Sequence, residues 1–597
     1  MNYFKLFWIV VLGSIVSGIL GFILWLVLLI GFAGSLSLSE EVTLSAESIL
    51  KIELNETFSE APQTNPFAQL NFSTMEMVPS LTLLDALTAI EAATTDDNIE
   101  AIYLHISPMS SVSTAALEEI RSALALFKEK SGKPIIAYND IYTQSGYYLS
   151  SVADKLYVEP EGMMFWQGMA SSTMFYKGLL DKLDMSVEVF RPSTCRFKSA
   201  VEPYILDKMS PANRAQMEQL LGSMWGVIAG DVALSRGLTL DQVNSIADNL
   251  ECMDVELALE RGMVDGLIYE DQLPALFREA GAQINGDDNK VNYISFSDYI
   301  FSLGEPLSSY GAEKVAIIYA EGSIVDGNGS DNKVYGDATA ATIRKARYDE
   351  SIKAVVLRVN SPGGSALASD VMWRELELLR KEKPLIVSMG SYAASGGYYI
   401  SAPADVIVAD RLTITGSIGV FSVMFDVESA LQNNLGITFD GVQTNTSAGF
   451  MSSLKSLTDF ERKMMVQNVD KVYSRFTSLV AQGRNLPLEK VLEIAQGRVW
   501  SGSEAVELGL ADSIGGLKEA VAIAGNKAGL EEYRIVEMSE ELTGLAAILS
   551  GVSAKAQSLL NISNPLNLKE VDSAHQALEP LFSKDGMVMY SPYKVKL

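Results

Sequence analysis

Apolar residues are distributed along this chain in two distinct ways. From Leu6 to Leu38 they run almost unbroken and without a charge. A bilayer-crossing helix needs about 20 apolar residues, so the run is long enough to span a membrane. A cleavable signal has a shorter apolar core, roughly 7–15 residues. Ala33-Gly34-Ser35 carries the small residues of a cleavage site, but the length favours a retained anchor over residues 1–40. Lys5 precedes the run and Glu40, Glu41 and Glu47 follow it, which places the bulk of the chain outside the cytoplasm. Beyond it, short β-branched apolar stretches alternate with amphipathic ones of helical period, and no second run of that length occurs.

This alternation is written twice. Asp97-Asn98-Ile99-Glu100-Ala101-Ile102-Tyr103-Leu104 matches Glu350-Ser351-Ile352-Lys353-Ala354-Val355-Val356-Leu357, and Ser-Pro follows both, at 107–108 and 361–362. Helical patterns over Leu117–Lys130 and Val371–Lys383 come next, then the apolar strands 134–137 and 384–387. Gly146-Tyr147-Tyr148 then matches Gly397-Tyr398-Tyr399, and Gly262-Met263-Val264-Asp265 matches Gly509-Leu510-Ala511-Asp512. Strand–helix alternation gives βαβ units with parallel pairing, so the predicted fold class is α/β, present twice. The chain divides into the anchor (1–40), a first repeat (41–285), a second repeat (310–535) and a less regular C-terminal extension (536–597). The boundary between repeats is expected between about Gly281 and Glu313, where Gly286–Asn289 is polar and turn-rich.

Composition narrows the chemistry. The 597 residues carry 74 acidic and 46 basic side chains, a formal net charge of −28 and a pI near 4.6, which argues against nucleic-acid binding. Two cysteines, Cys195 and Cys252, exclude a disulfide framework and any Cys-rich metal site. No metal-ligand cluster or cofactor fingerprint is present, so neither a metal nor a cofactor is expected. The two histidines are His105, on a predicted strand and read as structural, and His575, read as solvated. Neither sits in a motif, which argues against a Ser-His-Asp triad.

The repeats differ where chemistry is expected. In the second, a strand runs into Asn360-Ser361-Pro362-Gly363-Gly364-Ser365, where glycines let backbone N–H groups face a ligand. The first has Met109-Ser110 there. The second also has Ala393-Ala394-Ser395-Gly396-Gly397, a serine among small residues at a strand-to-helix turn, and aligning the Tyr-Tyr pairs puts Gln144 opposite Ser395. The first repeat has Phe197-Lys198-Ser199-Ala200-Val201-Glu202-Pro203, whereas the matching stretch of the second, 437–454, has no lysine. One copy keeps a nucleophile and the other a base. A lysine can serve as base only when neutral, which burial can achieve. Gly396 with Gly363 or Gly364 is the expected oxyanion hole. Taken alone, Lys198 reads as a solvated lysine and Ser395 as a turn residue; the reciprocal loss favours function. Cys195, three residues before Lys198, is read as filler. Met163, Met164, Phe165 and Trp166 are expected to line an apolar substrate site.

The set Ser361-Pro362-Gly363-Gly364, Ala394-Ser395-Gly396-Gly397-Tyr398-Tyr399, Thr415-Gly416-Ser417-Ile418-Gly419-Val420 and Lys198-Ser199-Ala200-Val201-Glu202-Pro203 resembles the long form of signal peptide peptidase A, or protease IV. The resemblance runs from the anchor to about residue 530. It implies tandem ClpP/crotonase-like domains, a single-pass protein of the bacterial inner membrane with its domains on the periplasmic side, and a ring-like homotetramer. It implies Ser395 as nucleophile, Lys198 as base and Ser417 as the serine that orients the lysine, with signal-peptide remnants as substrates. The alternatives are a crotonase-type acyl-CoA enzyme, disfavoured by the external location, and a non-catalytic membrane scaffold, disfavoured by retention of both Ser395 and Lys198.

Overall fold

The computed structural model describes residues 44–54, 58–62, 81–106, 112–285, 290–303, 313–329 and 333–538, together with 13–14, 17–18, 21, 70–71, 76–77 and 588–590. Almost all of the predicted anchor and His575 lie outside the described residues. Among the described residues no helix is long and apolar enough to cross a membrane.

Each repeat builds one mainly parallel sheet. The first uses β1 (Ser48–Ile52), β2 (Ile99–Leu104), β3 (Ile135–Tyr142), β4 (Lys155–Met164), then, after the separate β5 (Ser186–Phe190), β6 (Gly266–Leu267) and β7 (Tyr293–Ser295). Their order is β6-β4-β3-β2-β1-β7. In the second, β8 (Lys314–Glu321), β9 (Ser323–Val325), β10 (Ile352–Ser361), β11 (Gly363–Ser365), β12 (Leu385–Ala394), β13 (Val406–Ala409), β14 (Ile414–Gly416), β15 (Ser422–Asp426), β16 (Val499–Ser501) and β17 (Arg534–Met538) follow in the chain. In the order β16-β14-β12-β10-β8-β17, the run β12-β10-β8-β17 repeats β3-β2-β1-β7 of the first sheet; the counterpart of β6 is Ser513–Ile514, which pairs with β13 beside β12, and β16 lies antiparallel to β14. Central strands are buried on both faces by helices, which is why they read as continuous apolar runs.

Small polar contacts recur at equivalent places. Tyr147 donates to Met263 O at 2.7 Å, and Tyr398 to Leu510 O at 2.8 Å. Asp265 accepts from Leu156 N, and Asp512 from Ile407 N, each at 2.7 Å. Lys133 and Lys383 each donate to two carbonyls where the helix ahead of the preceding strand ends, Ala93 O and Asp96 O in one copy and Ala346 O and Asp349 O in the other. These pairs fix the alignment of the two copies, so Gln144 at the start of its helix does stand opposite Ser395. The first sheet takes β7 from beyond residue 285, and the strands on either side of Gly286–Asn289, Ile284–Asn285 and Lys290–Val291, pair with each other.

The repeats are locked together. β5 of the first pairs antiparallel with β15 of the second, Ser186 opposite Asp426 through to Phe190 opposite Ser422. The helix α1 (Thr114–Ser131) of the first repeat lies against β12, its Ala115 N–H donating to Ser391 Oγ at 2.9 Å. Arg358 on β10 is fully buried and meets two carboxylates of the first repeat, Glu60 and Glu119, each at 2.8 Å. Arg411 bridges likewise to Glu118 and Asp231. A buried arginine is tolerable only with such partners.

Candidate active site

Lys198 reaches the centre of the molecule because the chain leaving β5 folds tightly. Cys195 N–H donates to Pro192 O at 2.9 Å, Lys198 N–H to Cys195 O at 3.2 Å, and Arg191 donates to Lys198 O at 3.0 Å. The side chain is 1 % exposed. Its Nζ lies 2.7 Å from Ser395 Oγ and 2.9 Å from both the carbonyl oxygen and Oγ of Ser417. Burial pushes the amine down to about 7, with only the nearby Cys195 acting in the opposite direction.

Ser395 follows β12 directly and caps the start of the short helix Gly396–Ser401, with φ 58° and ψ −113°. That backbone is costly for a residue with a side chain, and it turns the hydroxyl out of the strand towards the lysine. Ser395 N–H donates to Gly416 O at 2.8 Å, which ties the turn to β14. Ser417 follows directly, also at positive φ (50°), and its N–H donates to Arg498 O at 2.6 Å. Ser395 and Ser417 are both buried.

The glycines lie beside this turn. A Cβ placed on Gly396 would stand 3.2 Å from Gly364 N, and one on Gly364 would collide with Ile324 O at 1.9 Å. Gly363 N–H donates to Ser361 Oγ at 3.2 Å. Gly363–Ser365 is a strand, paired on one side with β9 and on the other, antiparallel, with β18 (Val588–Tyr590). Thus Ser395, Lys198 and Ser417 come into one hydrogen-bonded cluster, and Gly363, Gly364 and Gly396 sit together at its flank.

The apolar wall expected from Met163 to Trp166 is not assembled as one. Met164 and Trp166 are buried in the first repeat's core, where Trp166 packs on Tyr147 and Trp225 and donates to Val243 O at 3.2 Å. The alternation of β4 directs Met164, its last residue, inwards, and Trp166 follows just beyond the strand. Cys195 and Cys252 are unbridged, and burial pushes the Cys195 thiol up to about 11. His105 Nδ1 lies 3.0 Å from Tyr138 O and 3.2 Å from Tyr103 Oη, away from the cluster. Gln144, opposite Ser395, accepts from Gln167 N and Gly168 N instead of holding a nucleophile. Sequence reasoning passed over the segment Gln496–Arg498, which touches both Lys198 and Ser417, and Gln216, which touches the residues flanking Lys198; neither lies in a motif.

The model of the family described as "Peptidase family S49" matches residues 128–284 and 377–531. The chain belongs to peptidase family S49. Protease 4 of Salmonella typhi is 37% identical over 530 residues, covering 86% of this chain and 84% of that protein. Protease 4 of Haemophilus influenzae is 37% identical over 523 residues, covering 84% and 82%. The chloroplastic serine protease SPPA of Arabidopsis thaliana is 32% identical over 472 residues, covering 77% of this chain and 68% of that protein. The chain is therefore an S49 serine peptidase with two tandem family regions in an α/β fold.

Proposed function

We propose that this S49 peptidase cleaves apolar peptides, remnants of signal peptides among them, with Ser395 as nucleophile and Lys198 as general base. The observation that carries the reading is the 2.7 Å approach of Lys198 Nζ to Ser395 Oγ inside a buried site that lowers the amine to about 7. A neutral amine has two N–H groups and one lone pair. With both N–H groups given to Ser417 O and Oγ, the lone pair faces the Ser395 hydroxyl.

In this scheme Lys198 takes the Ser395 proton as Oγ bonds to the scissile carbonyl carbon, whose electrons move onto oxygen. The Gly396 N–H, with Gly363 or Gly364, receives that oxyanion. Collapse breaks the C–N bond, and the Lys198 ammonium returns the proton to the leaving nitrogen. Water then attacks the acyl-enzyme, again giving its proton to Lys198, and the acid leaves as Ser395 recovers its own. The chain's own residues 588–590, lying antiparallel along Gly363–Ser365, support this edge as the place where an extended peptide adds as a strand.

Residues 1–40 anchor the protein in the bacterial inner membrane, with both repeats, over about 41–285 and 310–535, on the periplasmic side and four copies forming a ring. The charge-free Leu6–Leu38 run, with Lys5 before it and acidic residues after it, supports the anchor and its orientation, and the ring of four is what the family resemblance implies. The test is fluorophosphonate labelling and signal-peptide hydrolysis by purified full-length protein. Labelling mapped to Ser395 and lost with Ser395→Ala is the expected result. Retained hydrolysis by Ser395→Ala, or turnover of acyl-CoA thioesters in its place, overturns the reading.

A further inference from the structure

The short segment Gln496–Arg498 of the second repeat lies between the loop that carries Lys198 and the turn at Ser417–Ile418. Phe197 N–H donates to Gln496 O at 3.1 Å, Gly497 N–H to Ile418 O at 2.8 Å, and Ser417 N–H to Arg498 O at 2.6 Å. Gly497, at φ 76°, lies so close that a Cβ on it would fall 2.5 Å from Lys198 Cβ and 2.7 Å from Lys198 N. Position 497 therefore accepts glycine alone.

One side chain of the first repeat reaches this junction from behind. Gln216, on the helix Pro211–Arg236, is 1 % exposed. Its Nε2 donates to Phe197 O at 3.0 Å and to Ser199 Oγ at 2.9 Å, the residues immediately before and after Lys198. It also lies 3.3 Å from Asn213 Oδ1. On the other side its Oε1 accepts from Val499 N at 3.4 Å, in the strand that pairs with Ile414–Gly416 just ahead of Ser417. A single amide thus grips both flanks of the lysine and the strand beside its orienting serine, across the repeat junction. Phe197 adds a second tie, packing against the Arg498 guanidinium, whose other aromatic neighbour is Trp500.

We infer that Gln216 is a positioning residue for the Ser395–Lys198 dyad: it sets where the amine stands relative to Ser395 and Ser417 without touching the reacting atoms. The inference rests on the assignment of Lys198 as base. Proton transfer needs a separation of roughly 2.6–3.2 Å, so small displacements of the lysine loop reach the rate directly. A leucine fills similar volume but holds none of these partners. A glutamate keeps the acceptor towards Val499 N, loses both amide donors, and adds a buried negative charge near the amine, which favours the ammonium form.

The experiment compares full-length wild type, Gln216→Leu, Gln216→Glu, Lys198→Ala and Ser395→Ala. Each is titrated to the fluorophosphonate end point, and kcat and KM per labelled site are measured with an apolar fluorogenic peptide across pH. Gln216→Leu is expected to label to the same end point but more slowly. Its kcat per labelled site should fall about 10- to 100-fold, with KM within about twofold of wild type. Gln216→Glu is expected to move the acid limb of kcat to higher pH. A purely structural role would lower the labelled fraction and leave kcat per site and the limb unmoved, and that result overturns the inference. Full activity in Lys198→Ala or Ser395→Ala would instead overturn the dyad itself, a separate outcome.

Discussion

The pH dependence of turnover is the most direct consequence of the buried lysine. At pH 7.5 an amine of ordinary pKa, 10.5, is neutral in about one molecule in 1,000, whereas one held at about 7 is neutral in about three of four. Burial of Lys198 thus raises the available base several-hundredfold on the order of magnitude at that pH. The expected kcat/KM profile rises about tenfold per pH unit below 7 and levels off above it. Inactivation by a fluorophosphonate should follow the same limb, because it needs the same deprotonation. Lys198→Arg should be inactive throughout, since guanidinium keeps its proton. The linked stability effect has a definite sign. Folding lowers this pKa, so between about 7 and 10.5 the unfolded chain binds more protons, and the group's contribution to stability improves as pH rises through that window. Below 7 the cost is on the order of 5 kcal/mol, so Lys198→Met should be more stable than wild type in urea at pH 6 and lose that advantage towards pH 10. A flat rate profile, a limb near pH 10, or an active Lys198→Arg would refute the argument.

Other expectations concern the surroundings. Ser417→Ala removes one of two acceptors for the amine but keeps the carbonyl, so kcat should fall about tenfold with KM little changed, read from steady-state peptide hydrolysis. Arg358→Met leaves Glu60 and Glu119 buried without their cation, and urea unfolding should report a loss of about 3–5 kcal/mol. Deleting residues 588–597 uncovers the edge of Gly363–Ser365 and should raise kcat/KM for an extended peptide severalfold; an unchanged value would show that peptides bind elsewhere.

What the sequence determined by itself is local. Hydrophobic periodicity depends on neighbours a few residues apart, so the alternation of strands and helices, its duplication and the α/β class could be read directly. The two exchanged features, Ser395 in one copy and Lys198 in the other, could be read because each repeat served as the other's reference. Tertiary structure decided what lies between distant segments. The reciprocal loss required Ser395 and Lys198, 197 residues apart, to meet, but nothing in the pattern said that β5 and β15 pair across the repeats to bring this about, or that Gln496–Arg498 and Gln216 clamp the lysine loop. Met164 and Trp166 illustrate the same limit: an apolar run fits a substrate wall and a core equally, and only packing assigned them to the core. The basicity of Lys198 belongs to that second category too, because a pKa is set by the solvent removed around the charge, and the residues that remove it come from both repeats.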